Sequence, residues 1–184
     1  MEPISSEGLR IRRADEADVE FLASLAVNDD VAPFLAGMSA RDPDAFLEEI
    51  DVAGERPHER GRFVIEAELE GRWWPAGSIA FETVNRRSRI AHLYGLMLHP
   101  DFRGRGIAKA ATELFWRHLI RELNFHRVEL ECYGFNERAV RHFERSGFKR
   151  EGTKRKAYWR NGTWVDGILF GLVREDVENP EGES

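Results

Sequence analysis

The sequence predicts an α/β domain of the α+β type, built on a mixed, mostly antiparallel sheet of about seven strands with flanking helices. Three observations carry that expectation. Apolar segments of strand length, Phe63 to Leu69, Ala76 to Val84 and Ile90 to Leu98, follow one another across short polar turns, as in an antiparallel meander. The period then changes to three and four over Ile107, Ala110, Ala111, Leu114, Phe115, His118 and Leu119, before another strand-like run from Arg127 to Tyr133. Strand, long helix, strand is the right-handed crossover unit, which makes that pair of strands parallel. Last, Phe148 to Tyr158 and Val165 to Val173 flank Asn161-Gly162, the strongest hairpin signal in the chain.

The remaining elements follow from local chemistry. Leu9-Arg10-Ile11-Arg12 alternates as a strand does, and Asp15 stands as an N-cap before an apolar stripe at Val19, Phe21, Leu22, Leu25 and Ala26. Residues 28–40 read as loop or broken helix. Asp42-Pro43 opens a second helix, with Pro at the first helical position and Phe46, Leu47 and Ile50 on its apolar face. Gly71-Arg72-Trp73-Trp74-Pro75 reads as the first turn of the meander and Asn85-Arg86-Arg87-Ser88 as the second. The helix from Ile107 is expected to run about five turns. Asn136 to Ser146 forms another, closed by Gly147. From Glu175 the chain is acidic and contains Pro and Gly, so residues 1–175 are expected to form one domain and 176–184 a flexible tail.

Composition narrows the function classes. The 184 residues suit one domain, and 42% apolar content supplies a core without a disulfide or metal staple. The 33% of charged residues is above the usual ~25%, but the signs are mixed and the net charge is only −6, which argues against disorder. A pI near 5.6 argues against nonspecific nucleic-acid binding. The single cysteine, Cys132, cannot close an internal disulfide, and six scattered histidines offer no zinc cluster, so no metal is expected. The first residues have neither a basic nor an apolar signal region, and no apolar run approaches the ~20 residues of a membrane span. A cytoplasmic protein with no membrane partner, monomeric or homodimeric, is the expectation.

The chemistry sits in Arg103-Gly104-Arg105-Gly106-Ile107-Ala108, between a strand and the start of the long helix. Two glycines let the backbone turn and approach a ligand, and the unpaired first amides of the helix favour an anion there. Dinucleotide binding is excluded because Lys109 stands where a third small residue is required. A nucleotide-triphosphate loop is excluded because no Gly-Lys-Ser/Thr occurs.

From Leu96 to Phe148 the chain resembles the GNAT N-acetyltransferase superfamily, whose loop reads Arg/Gln-x-x-Gly-x-Gly/Ala; Arg103, Gly106 and Ala108 hold those positions. Asn136 to Phe148 is similar to that family's second signature, Asn-x-x-Ala-x-x-x-Tyr/Phe-x-x-x-Gly-Phe. The ending, through Tyr158-Trp159-Arg160-Asn161-Gly162 to Phe170-Gly171-Leu172, resembles the RimJ/RimL branch, which acetylates ribosomal-protein N-termini and, in relatives, other amines. The resemblance implies a splayed parallel strand pair that holds the pantetheine arm of acetyl-CoA on the backbone of Leu96, Met97 and Leu98. It places the pyrophosphate on the amides of Arg105, Gly106, Ile107 and Ala108 after Arg103-Gly104, Asn136 across the arm, and Phe143 near the thioester. Arg103, Arg105 and Lys109 are candidates to add charge near the phosphates.

Acetyl transfer to a primary amine, a protein N-terminus or a small amine, needs a neutral nucleophile, a stabilised oxyanion and a leaving thiolate. Deprotonating an alkylamine at pH 7 costs roughly 4 to 5 kcal/mol against about 1 for an α-amino group, so an N-terminal acceptor asks for the weaker base. Many relatives carry a tyrosine acid where Phe143 stands, and often a glutamate base near the position of His92 or Leu93. His92 is the candidate base, with Glu82 a second, and Tyr94 or Tyr133 the candidate acid. Alternation places His92 on one face with Tyr94, Leu96 and Leu98. The missing tyrosine keeps open a non-catalytic acyl-CoA sensor.

Overall fold

A computed structural model describes residues 2–35 and 42–178. The last part of the expected inter-helix loop, 36–40, and the end of the expected tail, 179–184, lie outside the described residues. The elements run β1 (Ile4–Ser6), β2 (Leu9–Arg13), α1 (Val19–Val27), α2 (Pro43–Glu55), β3 (Arg60–Leu69), β4 (Arg72–Asn85), β5 (Ile90–Leu98), α3 (Ile107–Arg121), β6 (Arg127–Tyr133), α4 (Glu137–Arg145), β7 (Lys149–Arg160), β8 (Thr163–Val173) and α5 (Arg174–Glu178). One sheet holds all eight strands in the order β1-β2-β3-β4-β5-β6-β8-β7. Every neighbouring pair is antiparallel except β5 and β6. The strand beyond the seven legible in the sequence is β1, too short at three residues to show a period. Strand β8 lies between β6 and β7, leaving β7 on the sheet edge.

Caps and turns explain where the elements begin and end. Asp15 accepts from the Ala17 amide at 3.0 Å while Asp18 accepts from the Asp15 amide at 2.9 Å, a reciprocal cap ahead of α1. Asp18 also takes both ends of the Arg12 fork, at 2.7 and 2.8 Å, tying the cap to β2. Asp42 caps α2 through the Asp44 amide, with Pro43 at the first position. The β3–β4 turn is Glu70-Gly71, both at positive φ (53° and 72°), so Arg72 to Pro75 belong to β4 rather than to a loop. Asn161-Gly162 repeats that geometry at 49° and 76° between β7 and β8. Helix α3 has 15 residues, about four turns rather than five. The described part of the expected tail, 176–178, is helical rather than irregular. Arg174–Glu178 is helical, with Val177 buried and Asp176 accepting from the Val173 amide at 3.0 Å.

Two cores hold the layers. On one face, α3 packs Phe115 edge-on against Phe63 and Phe81, with ring centroids 5.0 and 6.1 Å apart, and Leu93, Val128 and Phe170 join the same cluster. On the other face Leu22, Leu25 and Ala26 of α1 and Phe46 of α2 enclose Met97. Truncating any of the fully buried phenylalanines to alanine costs about 3 to 5 kcal/mol.

Candidate active site

The site begins where the sheet opens. Strands β5 and β6 pair through only three residues, Ile90 with Arg127, Ala91 with Val128 and His92 with Glu129, and then diverge. Leu93–Leu98 on one strand and Leu130–Tyr133 on the other line opposite walls of a cleft of about 880 Å³. The backbone groups of β5 that face this gap have no ladder partner, a strand edge that an extended ligand can complete. At one end of the cleft stand Gly104 and Gly106, at φ 75° and 78°, and Gly106 starts α3 without a side-chain cap. A Cβ built at either glycine meets nothing within 4 Å, so the space above the unpaired amides of Ile107 and Ala108 is open. Amides at a helix start with open space above them favour an anion.

A bulge in β5 sets the faces of that wall. Ala80 of β4 sits opposite Tyr94 and Ser78 opposite Met97, so β5 carries one extra residue here, with Gly95 at φ 60°. The expected alternation fails at this point. Leu96 packs with the α3-side core, as Leu93 does, and Met97 with α1 and α2, so Leu96 is not on the face of His92 and Tyr94. A methyl at Gly95 would lie 2.7 Å from Arg62 Nη1. The bulge therefore seats directly on that guanidinium.

Arg62 is the centre of a network that sequence reasoning did not single out. Its side chain is 4% exposed; Nε donates to Glu49 Oε2 at 2.9 Å and Nη1 to Ser78 Oγ at 3.0 Å, with the rings of Phe46 and Tyr94 alongside. Tyr94 donates its hydroxyl to the other Glu49 oxygen at 2.6 Å. Burial, then the Glu49 charge, pushes the Tyr94 phenol far above its usual range. It acts as a hydrogen-bond donor, and surrendering its proton to a thiolate of pKa near 8.5 is uphill. The signal was partial: Glu49 follows Phe46 by three residues on the buried side of α2, whereas Arg62 stands just before the apolar run that starts at Phe63.

His92 lines the cleft where the strands part, its ring nearly parallel to Tyr94 with centroids 6.2 Å apart. Glu82 and Glu129 are its cross-strand neighbours, each with an arginine partner, Arg60 and Arg127. On the opposite wall Asn136 caps α4, accepting from the Ala139 amide at 3.1 Å. Phe143 is buried against Phe148 and Phe170 and has no hydroxyl to offer. His142 beside it is 3.0 Å from Thr112 Oγ1, and burial pulls it down to about 4, so it is neutral at pH 7. Cys132 is pushed up to about 11, first by burial and then by Glu131, which keeps the thiol inert. Tyr133 accepts from Arg160 Nε at 2.7 Å.

The basic residues of the loop are less available than the sequence suggests. Arg103 donates to the Asp30 carbonyl at 3.3 Å and sits 3.7 Å from its carboxylate, bracing the loop after α1. Lys109 pairs with Glu113 one turn on. Arg105 is exposed and does not line the cleft. Arg103 and Lys109 nevertheless line the cleft beside Gly104 and Gly106.

Residues 20–148 match the acetyltransferase (GNAT) family, and the chain belongs to that family. It is an N-acetyltransferase whose acyl donor is acetyl-CoA. Over 89 residues it is 36% identical to an uncharacterized, prophage-derived N-acetyltransferase of Bacillus subtilis, a match covering 48% of this chain and 50% of that protein. It is 24% identical to the spermidine N(1)-acetyltransferase of Escherichia coli over 78% of this chain and 74% of that one. Two solved structures share the fold. Spermidine N-acetyltransferase from Vibrio cholerae, in complex with CoA and spermine, superposes with a TM-score of 0.83 at 21% identity over 95% of this chain and 100% of that one. Ribosomal-protein-S5-alanine acetyltransferase from Vibrio fischeri superposes with a TM-score of 0.80 at 20% identity, over 96% and 98%.

Proposed function

We propose that this acetyltransferase acts on a small primary amine, which attacks the thioester directly in the wedge between β5 and β6. The observation that carries this reading is the position of His92, at the point where β5 and β6 separate and on the wall of the cleft that Gly106 also lines. The amine nitrogen bonds to the acetyl carbonyl carbon, the tetrahedral adduct collapses with cleavage of the carbon–sulfur bond, and CoA leaves as the thiolate. The amine's proton passes to His92, and the thiolate takes one from solvent. Tyr94, held by Glu49, lies beside the His92 ring and keeps it at the wall of the cleft. Leu96, Met97 and Leu98 offer backbone to the pantetheine arm, and Gly104 and Gly106 leave room for the pyrophosphate. The amide group of Asn136 and the ring of Phe143 face the arm from the other wall.

The small-amine acceptor is supported by the names of the relatives, several of them spermidine acetyltransferases. A peptide N-terminus is the second reading, supported by the fold shared with the ribosomal-protein enzyme and by the lower cost of deprotonating an α-amine. Release of CoA thiol from acetyl-CoA, measured against polyamines, aminoglycosides, amino acids and N-terminal peptides, separates these readings. Turnover with polyamines or other small amines supports the first, and turnover confined to peptides overturns it. Acetyl-CoA binding without thiol release against the whole panel would favour a sensor. His92→Ala is expected to lower kcat/KM most below the acceptor's pKa; a pH profile matching wild type would remove His92 from the mechanism.

A further inference from the structure

We propose that the tip of the β7–β8 hairpin of one copy docks into the groove between α1 and α2 of a second copy. Among the described residues six large hydrophobic side chains are markedly exposed, and three of them fall on these two features. Trp159 and Trp164 are cross-strand partners at the hairpin tip, 55% and 56% exposed, with ring centroids 5.2 Å apart. The tight Asn161-Gly162 turn presents them as one rigid aromatic wedge. Beside it the chain bulges outward at Arg155-Lys156-Ala157, where β7 skips register and the Lys156 amide is held by Asp166 Oδ1 at 2.7 Å. That bulge leaves Arg155 and Lys156 exposed next to the wedge.

The groove has the opposite character. Val19, Val27 and Leu47 supply apolar surface in a recess of about 650 Å³, and Glu16, Glu20 and Asp44 stand on its rim. Val27 is 55% exposed. Neither α1 nor α2 contains a lysine or arginine. An aromatic wedge flanked by cations on one side, and an apolar recess ringed by carboxylates on the other, complement each other in both shape class and sign. Within one chain they cannot meet. The hairpin lies on the β7 edge of the sheet, whereas α1 and α2 pack on each other and on β3, β4 and β5. A second copy supplies the missing half, and two copies related by a twofold axis make the contact twice.

Sedimentation of the intact chain over about 5 to 300 μM at low salt tests this, protein contacts of this kind being weaker as salt screens them. The expected result is a weight-average mass rising above 21.2 kDa with concentration and falling back in 0.5 M salt. The W159S/W164S hairpin variant and the Val27→Arg groove variant should each sediment as monomers, both changes being at exposed positions that leave the cores intact. Mixing the two variants should restore association, because one intact hairpin then meets one intact groove. A wild type that stays at 21.2 kDa throughout overturns the proposal and leaves the wedge for another partner. So does association that survives both variants, or variants that fail to complement on mixing, which would mean that hairpin meets hairpin.

Discussion

Replacing Glu49 by alanine strikes the one carboxylate that serves both Arg62 and Tyr94. The guanidinium would stay buried, 4% exposed, with Ser78 Oγ as its remaining polar partner, and the Tyr94 hydroxyl would lose its acceptor. Removing one member of a buried ion pair costs about 3 to 5 kcal/mol. Glu49 itself is 20% exposed, so water reaches that end of the pair and the lower end applies, about 3 kcal/mol. For a domain of this length that corresponds to a fall in Tm of roughly 6 to 12 °C. Glu49→Gln keeps an acceptor oxygen and should lose about half as much. Because Arg62 supports the Gly95 bulge, both variants should also raise the KM for acetyl-CoA, more for alanine than for glutamine. Thermal unfolding by circular dichroism, with steady-state kinetics, reads both effects. A Glu49→Ala protein that melts within about 2 °C of wild type with an unchanged KM would refute the argument that this network holds the cleft wall.

Three further outcomes are expected. His142 is held near 4 in the folded chain against about 6.5 when unfolded, so stability is present above 6.5 and drains as pH falls toward 4, by up to about 3 kcal/mol. Denaturant unfolding at pH 7 and pH 4.5 measures this, and His142→Gln should shrink the difference; equal losses in both proteins would contradict it. Gly95→Ala adds a Cβ against Arg62 at a positive φ and should cost about 2 kcal/mol or more while raising the KM for acetyl-CoA, measured by melting and kinetics. Asp18→Ala removes a half of the capping box and the partner of the Arg12 fork, and is expected to destabilise by about 2 to 4 kcal/mol in chemical denaturation without changing kcat.

The sequence carried those features that are set within a few residues. Ile90–Leu98 and Arg127–Tyr133 have the bounds that period and turns imply, Asp42 and Pro43 open α2, and Asn161-Gly162 makes its two-residue turn. Trp73 and Trp74 were misplaced in a loop because their turn is only Glu70-Gly71, and an aromatic pair after a turn does not by itself show where the strand resumes. The larger loss came at Gly95. One inserted residue reverses the facing of everything after it, and nothing but a glycine inside a strand announces it. Long-range partnerships were also beyond reach. Glu49, Arg62 and Tyr94 are separated by 13 and 45 residues, counted from Glu49, and meet only when α2 lies across the sheet. The same holds for the contact of Arg103 with Asp30, 73 residues away.

The binding of acetyl-CoA in the wedge, with its pyrophosphate on the start of α3, is reached most directly by isothermal titration of the wild-type chain and Gly106→Glu with acetyl-CoA. Wild type should bind one equivalent per chain. The variant puts a carboxylate, at a position already at φ 78°, over amides that would otherwise meet phosphate, and should bind at least 100-fold more weakly, about 3 kcal/mol, while its circular dichroism spectrum is retained. Equal affinity in the two proteins would contradict the cradle, and with it the assignment of the cleft.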